Sequence, residues 1–149
     1  MPERLQFRVA GREDLPVILD LYTRGLDGEA LPPEQAEVIF DRYQAYPSYR
    51  IFLAESEGGV KGIFSLLLMD NLGHCGAGVG VVEDVVVDPV QQGLGIGKAM
   101  MAHARELCRE AGCYKMMLSS NLERTEAHAF YEAIGFEIHG YSFKVVIDG

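Results

Sequence analysis

Basic residues and cysteines are both scarce in this sequence. Lysine and arginine total 13 against 22 aspartates and glutamates, which gives a formal net charge of −9 at pH 7. Nucleic-acid affinity is carried largely by Lys and Arg contacts to phosphates, so we expect no nucleic-acid partner. The charge is compatible with a cationic substrate such as an amine, but an acidic surface is also a common aid to solubility.

Cysteine and long apolar runs are too limited for several other protein classes. Cys75, Cys108 and Cys113 cannot all pair within one chain, and no short Cys/His spacing predicts a metal site. No apolar run approaches the roughly 20 residues needed to cross a bilayer, and residues 1–5 lack the layout of a signal peptide. We therefore expect a metal-free cytoplasmic protein with no membrane partner.

Sequence periodicity predicts a single α/β domain over residues 1–149. Apolar residues at helical spacing predict four helices. The first opens at Glu13 to Pro16 and ends at Gly25, and the second runs from Pro32–Pro33 to before Pro47. The third runs from near Gly97 to Gly112, and the fourth covers 125–134 with Thr125 as N-cap. Alternating or β-branched segments predict strands at 5–9, 50–54, 60–68, 79–87, 116–118, 136–138 and 143–147. This order predicts a mixed sheet with helices on both faces.

A glycine-rich loop, Gln91-Gln92-Gly93-Leu94-Gly95-Ile96-Gly97-Lys98, lies between a predicted strand and a predicted helix. The first N–H groups of a helix lack internal partners and carry positive partial charge, and glycines let a diphosphate approach the backbone. The loop does not fit a Walker A motif, because Gln92 replaces its first glycine and Ala99 its hydroxyl residue. It also fails the dinucleotide pattern, whose third glycine would fall on Lys98 or Met100.

The loop does match Gln/Arg-x-x-Gly-x-Gly/Ala, through Gln92, Gly95 and Gly97, and so resembles the coenzyme A pyrophosphate loop of the GNAT superfamily of N-acetyltransferases. The segments 83–87, 112–118 and 127–136 are similar to the strand before that loop and to the strand and helix after it. The resemblance covers about residues 8–144. It implies a mostly antiparallel sheet of six to seven strands with a splayed central pair, ending at Val87 and near Leu118.

The resemblance also implies acetyl-coenzyme A as co-substrate and a small amine as acceptor. The pantetheine arm would pair with strand backbone, and the diphosphate would bind the loop. The residues expected to bind coenzyme A are Val85, Val86, Val87, Gln92, Gly93, Leu94, Gly95, Ile96, Gly97, Lys98 and Asn121. A backbone N–H near Val86 is expected to polarise the acetyl carbonyl. The oligomeric state stays open, a homodimer included.

Acetyl transfer to an amine needs a base and an acid. Glu83 is the predicted base, acting directly or through water, and Asp84 is the alternative base. The competing interpretation is that Glu83 is a structural carboxylate. Strand alternation predicts Glu83, Val85 and Val87 on one face and Val82, Asp84 and Val86 on the other. Tyr131 matches the tyrosine of the family's Phe-Tyr pair, which implies that it protonates the thiolate, although spacing alone predicts a core aromatic.

The acceptor is left open among several amines. Residues 120–131 resemble aminoalkylphosphonate acetyltransferases, in which case Arg124 and Lys144 could hold an anionic group. Amino sugars, amino acids and polyamines are the other candidates. A protein lysine or N-terminus is a second hypothesis, and a non-catalytic coenzyme A sensor is a third.

Overall fold

The computed structural model describes residues 4–26 and 28–147. The chain divides into two compact units, Met1–Met117 and Leu118–Gly149. The first unit contains, in order, β1 (Gln6–Val9), α1 (Leu15–Gly25), α2 (Pro33–Ala45), β2 (Tyr49–Ser56), β3 (Gly59–Met69), β4 (Gly78–Val87), α3 (Ile96–Glu110) and β5 (Cys113–Met117). Short 3-10 turns cover Arg12–Asp14, His74–Gly76 and Pro89–Gln91, and the second unit contains α4 (Thr125–Ala133).

The first unit is built on a five-stranded mixed sheet in the order β1-β2-β3-β4-β5. The first three pairings are antiparallel, and β4 pairs with β5 in parallel from Gly78 to Val81. A two-residue turn at Glu57 and Gly58 joins β2 to β3. Because β4 continues to Val87, its second half extends beyond its pairing with β5, at the place where the resemblance implies a splayed pair.

Helices cover both faces of this sheet, which confirms the predicted layering. On one face, α1 and α2 bury Ile18, Leu21 and Phe40 against β2 and β3 residues such as Leu53 and Ile63. On the other face, α3 lies close to the sheet because the strands carry glycine there. A Cβ built on Gly62 would lie 2.6 Å from Met100 Sδ, and one on Gly80 would lie 2.3 Å from Cys108 Sγ.

The prediction of six to seven strands is wrong for the described residues, whose backbone pairing forms five. Residues 136–138 and 143–147 belong to no strand, and their apolar side chains Ile138, Phe143, Val145, Val146 and Ile147 are exposed. Their β-branched and aromatic content indicates strand preference, but a strand also requires a partner for its backbone groups, and no described strand pairs with them. Thr125 is the first residue of α4 rather than its N-cap, a position that Arg124 occupies.

Candidate active site

The strand β4 contains a β-bulge at its two carboxylates. Glu83 is opposite Ser65 on β3, whereas Val86 is opposite Ile63, so two residues of β4 face one residue of β3. Asp84 has a left-handed backbone with φ 49°, which an aspartate tolerates better than a branched apolar residue would. Bulges of this kind redirect side chains and are frequent beside active sites.

Because of the bulge, the side chains before and after it in β4 do not follow the single alternation between the two sheet faces that the sequence predicts. Val86 belongs to the core beneath α1 and α2, where its side chain meets the end of α1 at Gly25. Val82 is opposite Leu66 and shares the face of Gly80, against which α3 packs. The prediction that Val82 and Val86 share one face is therefore wrong, because the extra residue at the bulge shifts the period-two pattern by one.

The two carboxylates differ in surroundings, although both are exposed. Partial burial raises the pKa of Glu83, and the neighbouring charge of Asp84 raises it further. Asp84 lines a cavity between α1 and α2. Burial, followed by the charge of Asp84, raises the pKa of Tyr22, which lines the same cavity. Glu83, whose pKa is raised, precedes the cavity residue Asp84 in the chain and is not itself among the described residues that line the cavity. A carboxylate with a raised pKa suits general-base chemistry.

Beyond the bulge, the backbone of β4 presents N–H groups on the side away from β3. The Asp88 N–H donates to the Lys61 carbonyl on the β3 side at 2.8 Å, and Val86 is opposite Ile63. N–H direction alternates along a strand, so the N–H groups of Val85 and Val87 point to the other edge of β4. Of the predicted residues 85–87, the donors for an extended ligand at that edge are therefore Val85 and Val87, while the Val86 N–H faces β3.

The glycine loop leads from β4 into the N-terminus of α3. Gly93 and Gly95 adopt left-handed backbone with φ 85° and 81°. Gly95 is the N-cap of α3 and supplies no side-chain cap, so the first N–H groups of the helix are left for another acceptor. Gln92, Leu94 and Lys98 are exposed, whereas Ile96 is buried, which fixes the loop to the core. An uncapped helix start with a flanking lysine is suited to a phosphate.

The end of β4 is held by ionic and hydrogen-bonding contacts of Asp88. Its carboxylate accepts the Val90 N–H at 3.1 Å and pairs with the Arg24 guanidinium of α1 at 3.0 Å. Hydrogen bonds from Arg24 lower the pKa of Asp88, so the pair stays ionised at neutral pH. The Arg24–Asp88 ion pair thus attaches the first turn of the glycine loop to α1, the helix that forms one wall of the cavity.

Tyr131 and Asn121 both belong to the second compact unit. Tyr131 packs edge-to-face against Phe130 and Phe136, with ring centroids 5.3 and 5.5 Å away. Burial raises the pKa of Tyr131, opposed by the charge of Arg124, so its phenol stays protonated at neutral pH. Asn121 Oδ1 accepts the Glu123 N–H at 2.9 Å, an interaction that shapes the loop before α4.

Three further findings concern possible metal sites, membrane spans and thiols in the described ranges, 4–26 and 28–147. There, no group of three or more His, Cys, Asp or Glu side chains is arranged to hold a metal ion. None of the helices in these ranges has both the length and the hydropathy to cross a membrane. All three cysteines are free thiols, and burial raises the pKa of Cys108 to about 12, which makes it a poor nucleophile.

Sequence reasoning missed the bulge. Tyr22 and Glu29 line the cavity and were not among the predicted site residues. The signal for the bulge was the pair Glu83-Asp84 inside an apolar strand, because regular alternation would bury one of two neighbouring carboxylates.

Comparison with known proteins agrees with this geometry. The profile of the Acetyltransferase (GNAT) family matches residues 15–136. A glucosamine 6-phosphate N-acetyltransferase of Trypanosoma brucei brucei is 34% identical over 136 residues, covering 91% of this chain and 90% of its own. An aminoalkylphosphonate N-acetyltransferase of Salmonella typhimurium is 32% identical, covering 85% and 79%. A solved Trypanosoma brucei acetyltransferase has a TM-score of 0.82 at 30% identity, covering 97% and 100%. The chain therefore belongs to the GNAT family of acetyltransferases.

Proposed function

We propose that this protein is an acetyl-coenzyme A-dependent N-acetyltransferase that acetylates the primary amine of a small molecule by direct attack in a ternary complex. The observation that carries the proposal is the uncapped N-terminus of α3, which follows a strand whose bulge bears Glu83 and Asp84. Two consecutive elements, β4 and α3, thus supply a base and an anion site. We extend the proposal to one cytoplasmic domain over residues 1–149.

The loop residues fit the diphosphate of coenzyme A. The N–H groups at the start of α3 would donate to phosphate oxygens, since no side chain caps them, and the exposed Lys98 adds positive charge. The left-handed backbone at Gly93 and Gly95 lets the loop turn without a Cβ beside the phosphates. The outward N–H groups of Val85 and Val87 would hold the pantetheine arm and polarise the acetyl carbonyl.

Glu83 acts as the base in this proposal. A free primary amine has a pKa near ~10, so a proton must be removed before or during attack on the carbonyl carbon. Burial and the charge of Asp84 raise the pKa of Glu83, which makes it a stronger proton acceptor than an ordinary carboxylate. Asp84 increases the basicity of Glu83 through its charge and is the alternative base.

Tyr131 acts as the acid. As the amine nitrogen bonds to the carbonyl carbon, the C–S bond breaks and the electron pair leaves on sulfur. The phenol of Tyr131 would give its proton to that thiolate and recover it from solvent. Burial keeps this phenol protonated, which is the form an acid requires. Asn121 is proposed to contact the pantetheine arm from the loop before α4.

The relatives support a small-molecule acceptor. Both curated relatives described above are named for small phosphorylated or phosphonylated amines, and each is aligned over most of its length. We therefore favour a small amine over a protein lysine or N-terminus.

Calorimetry and a thiol-release assay test this function together. We expect coenzyme A and acetyl-coenzyme A to bind the purified protein, and an amine panel to release free thiol only when both substrates are present. Mass spectrometry of the product should show one added acetyl group on nitrogen. Absence of coenzyme A binding would exclude the enzyme, and binding without turnover of any small amine or peptide would indicate a sensor.

A further inference from the structure

Residues 136–147, which we call the C-terminal segment, belong to no helix or strand. The segment carries large apolar side chains that are between 75 and 91% exposed: Ile138, Tyr141, Phe143, Val145, Val146 and Ile147. Exposed apolar side chains are usually scattered over a protein surface, whereas contiguous patches larger than a few hundred Å² mark interaction sites. The C-terminal segment is therefore a candidate contact surface.

The sequence of this segment places its apolar residues in a regular order. From residue 141 onward, large apolar side chains occupy every second position, namely Tyr141, Phe143, Val145 and Ile147. The polar residues Ser142 and Lys144 lie between them. In an extended chain, alternate side chains project to the same side, so these four residues share one face, which we call the apolar face.

The exposed area of this segment is large enough for a stable contact between two proteins. Burial of an aromatic side chain removes roughly 150–250 Å² from water, and burial of a Val or Ile side chain removes on the order of 100 Å². The exposed apolar side chains of the C-terminal segment therefore offer on the order of 800 Å² per copy. Two copies would bury on the order of 1,600 Å², which is the standard size of a specific protein–protein interface.

The charge distribution favours a second copy of this chain as the partner. The whole chain has a formal net charge of −9, whereas the C-terminal segment contains one acid, Glu137, and one base, Lys144, and is formally neutral with His139 uncharged. A nucleic acid or an anionic membrane surface would require a cluster of Lys and Arg, which the segment does not have. A second copy brings no charge to the apolar face, so both faces can be desolvated without leaving a buried unpaired charge.

Two identical apolar faces can cover each other across a two-fold axis. In such an isologous contact the same patch is buried on both copies, and the assembly closes as a dimer instead of growing into a fibre. We infer that the C-terminal segment is a dimerisation surface, in which the apolar face packs against the same face of a second copy of this chain. Phe143 and Val145 lie at the middle of the face and are its central contacts.

Analytical ultracentrifugation of the full chain tests the inference. We expect the wild-type protein to form dimers with a dissociation constant in the micromolar range or below. Phe143→Glu combined with Val145→Glu brings like charges together at the contact and should weaken the dimer by at least about 100-fold. Both residues are exposed and lie outside the described strands, so circular dichroism should show the wild-type fold for this variant.

Two further double variants show which surfaces meet. Leu72→Glu combined with Leu122→Glu is the matched control, because it adds the same charge at two exposed leucines outside the C-terminal segment, and it should leave the dimer intact. Phe143→Lys combined with Val145→Lys should abolish self-association, as the corresponding Glu variant does. The Glu and Lys variants mixed in equal amounts should form a heterodimer, detected by native mass spectrometry, because opposite charges then meet across the contact.

Several outcomes would overturn the inference. A wild-type monomer at about 100 μM protein, well above the expected dissociation constant, would exclude the dimer. If the control at Leu72 and Leu122 dissociates the dimer equally, or if the Glu and Lys variants do not combine, the apolar face does not meet its own copy. Wild-type protein that pellets with phosphatidylcholine vesicles instead of dimerising would make a lipid surface the occupant. None of these measurements depends on turnover, so a failed inference leaves the proposed function standing.

Discussion

Val82 and Val86 are buried on opposite faces of the same sheet, although they are only four residues apart on one strand. In a regular strand this spacing gives the same face. The left-handed residue between them, Asp84, accounts for the change. The same backbone conformation places the Asp84 carboxylate at the wall of a cavity, where its negative charge acts on the neighbouring Glu83.

The conformation at Asp84 predicts a selective response to substitution. Asp84→Val should destabilise the protein by about 1–2 kcal/mol, because a β-branched side chain is strained at positive φ. Asp84→Asn should be nearly neutral, since asparagine tolerates this conformation, and Asp84→Gly should be tolerated as well. Urea denaturation would measure the three midpoints. Equal losses for Val and Asn would show that the charge, rather than the backbone, decides stability here.

Glu83 should control the acidic limb of the pH–rate profile. The base must be ionised, so kcat/KM should rise with pH through the raised pKa of Glu83, above the ~4.3 of an ordinary glutamate. Glu83→Gln should lower the rate by about 10²- to 10⁴-fold. Asp84→Asn removes a negative neighbour, so it should shift the limb to lower pH. If the limb disappears in Asp84→Asn and survives in Glu83→Gln, Asp84 is the base.

The sequence was sufficient for those elements that repeat a simple pattern. The face of α3 is set by apolar residues at helical spacing, and residues such as Met100 and Ala104 are buried as that spacing predicts. The start of α3 was also predictable, because Gly95 and Gly97 precede a long amphipathic segment. The family resemblance added the ligand, which no periodicity could supply.

The remaining features depend on tertiary context that one sequence does not encode locally. The β-branched run at 143–147 has the composition of a strand, yet whether it pairs depends on a partner elsewhere. A period-two pattern does not define the geometry of a bulge, so the pair Glu83-Asp84 signals only that the alternation breaks there. The cavity is formed by residues such as Tyr22 and Glu29 from separate segments, whose proximity only the folded chain defines.

Tyr131→Phe tests the proposed acid. Removing the hydroxyl should lower kcat by about 100-fold, because the thiolate then leaves without a proton donor, while acetyl-coenzyme A affinity stays unchanged. Continuous thiol detection and calorimetry measure the two quantities separately. Tyr141→Phe is the control in the same compact unit, since Tyr141 is 90% exposed. A full rate for Tyr131→Phe would assign this tyrosine to packing against its aromatic neighbours.

Gly95→Glu tests the anion site at the start of α3. Gly95 and Gly112 flank the same helix with φ of 81° and 78°, and a Cβ at either would meet nothing within 4 Å. Gly95→Glu and Gly112→Glu therefore carry the same charge change and comparable backbone strain. Only Gly95→Glu should abolish coenzyme A binding, measured by calorimetry on folded protein. Unchanged affinity in Gly95→Glu would place the diphosphate elsewhere.

The contact between Gly80 and Cys108 predicts a compensating pair of substitutions. A Cβ on Gly80 would lie 2.3 Å from Cys108 Sγ but 3.7 Å from its Cβ. Gly80→Ala should therefore destabilise the protein by about 1–3 kcal/mol through overpacking beneath α3. Cys108→Ala removes the obstructing sulfur, so the double variant should be more stable than the sum of the two single effects predicts. A double-mutant cycle from urea denaturation measures this coupling, which we expect at about 1 kcal/mol or more. Strict additivity would mean that α3 moves away from β4 to admit the methyl group, since the sulfur would then no longer limit the space.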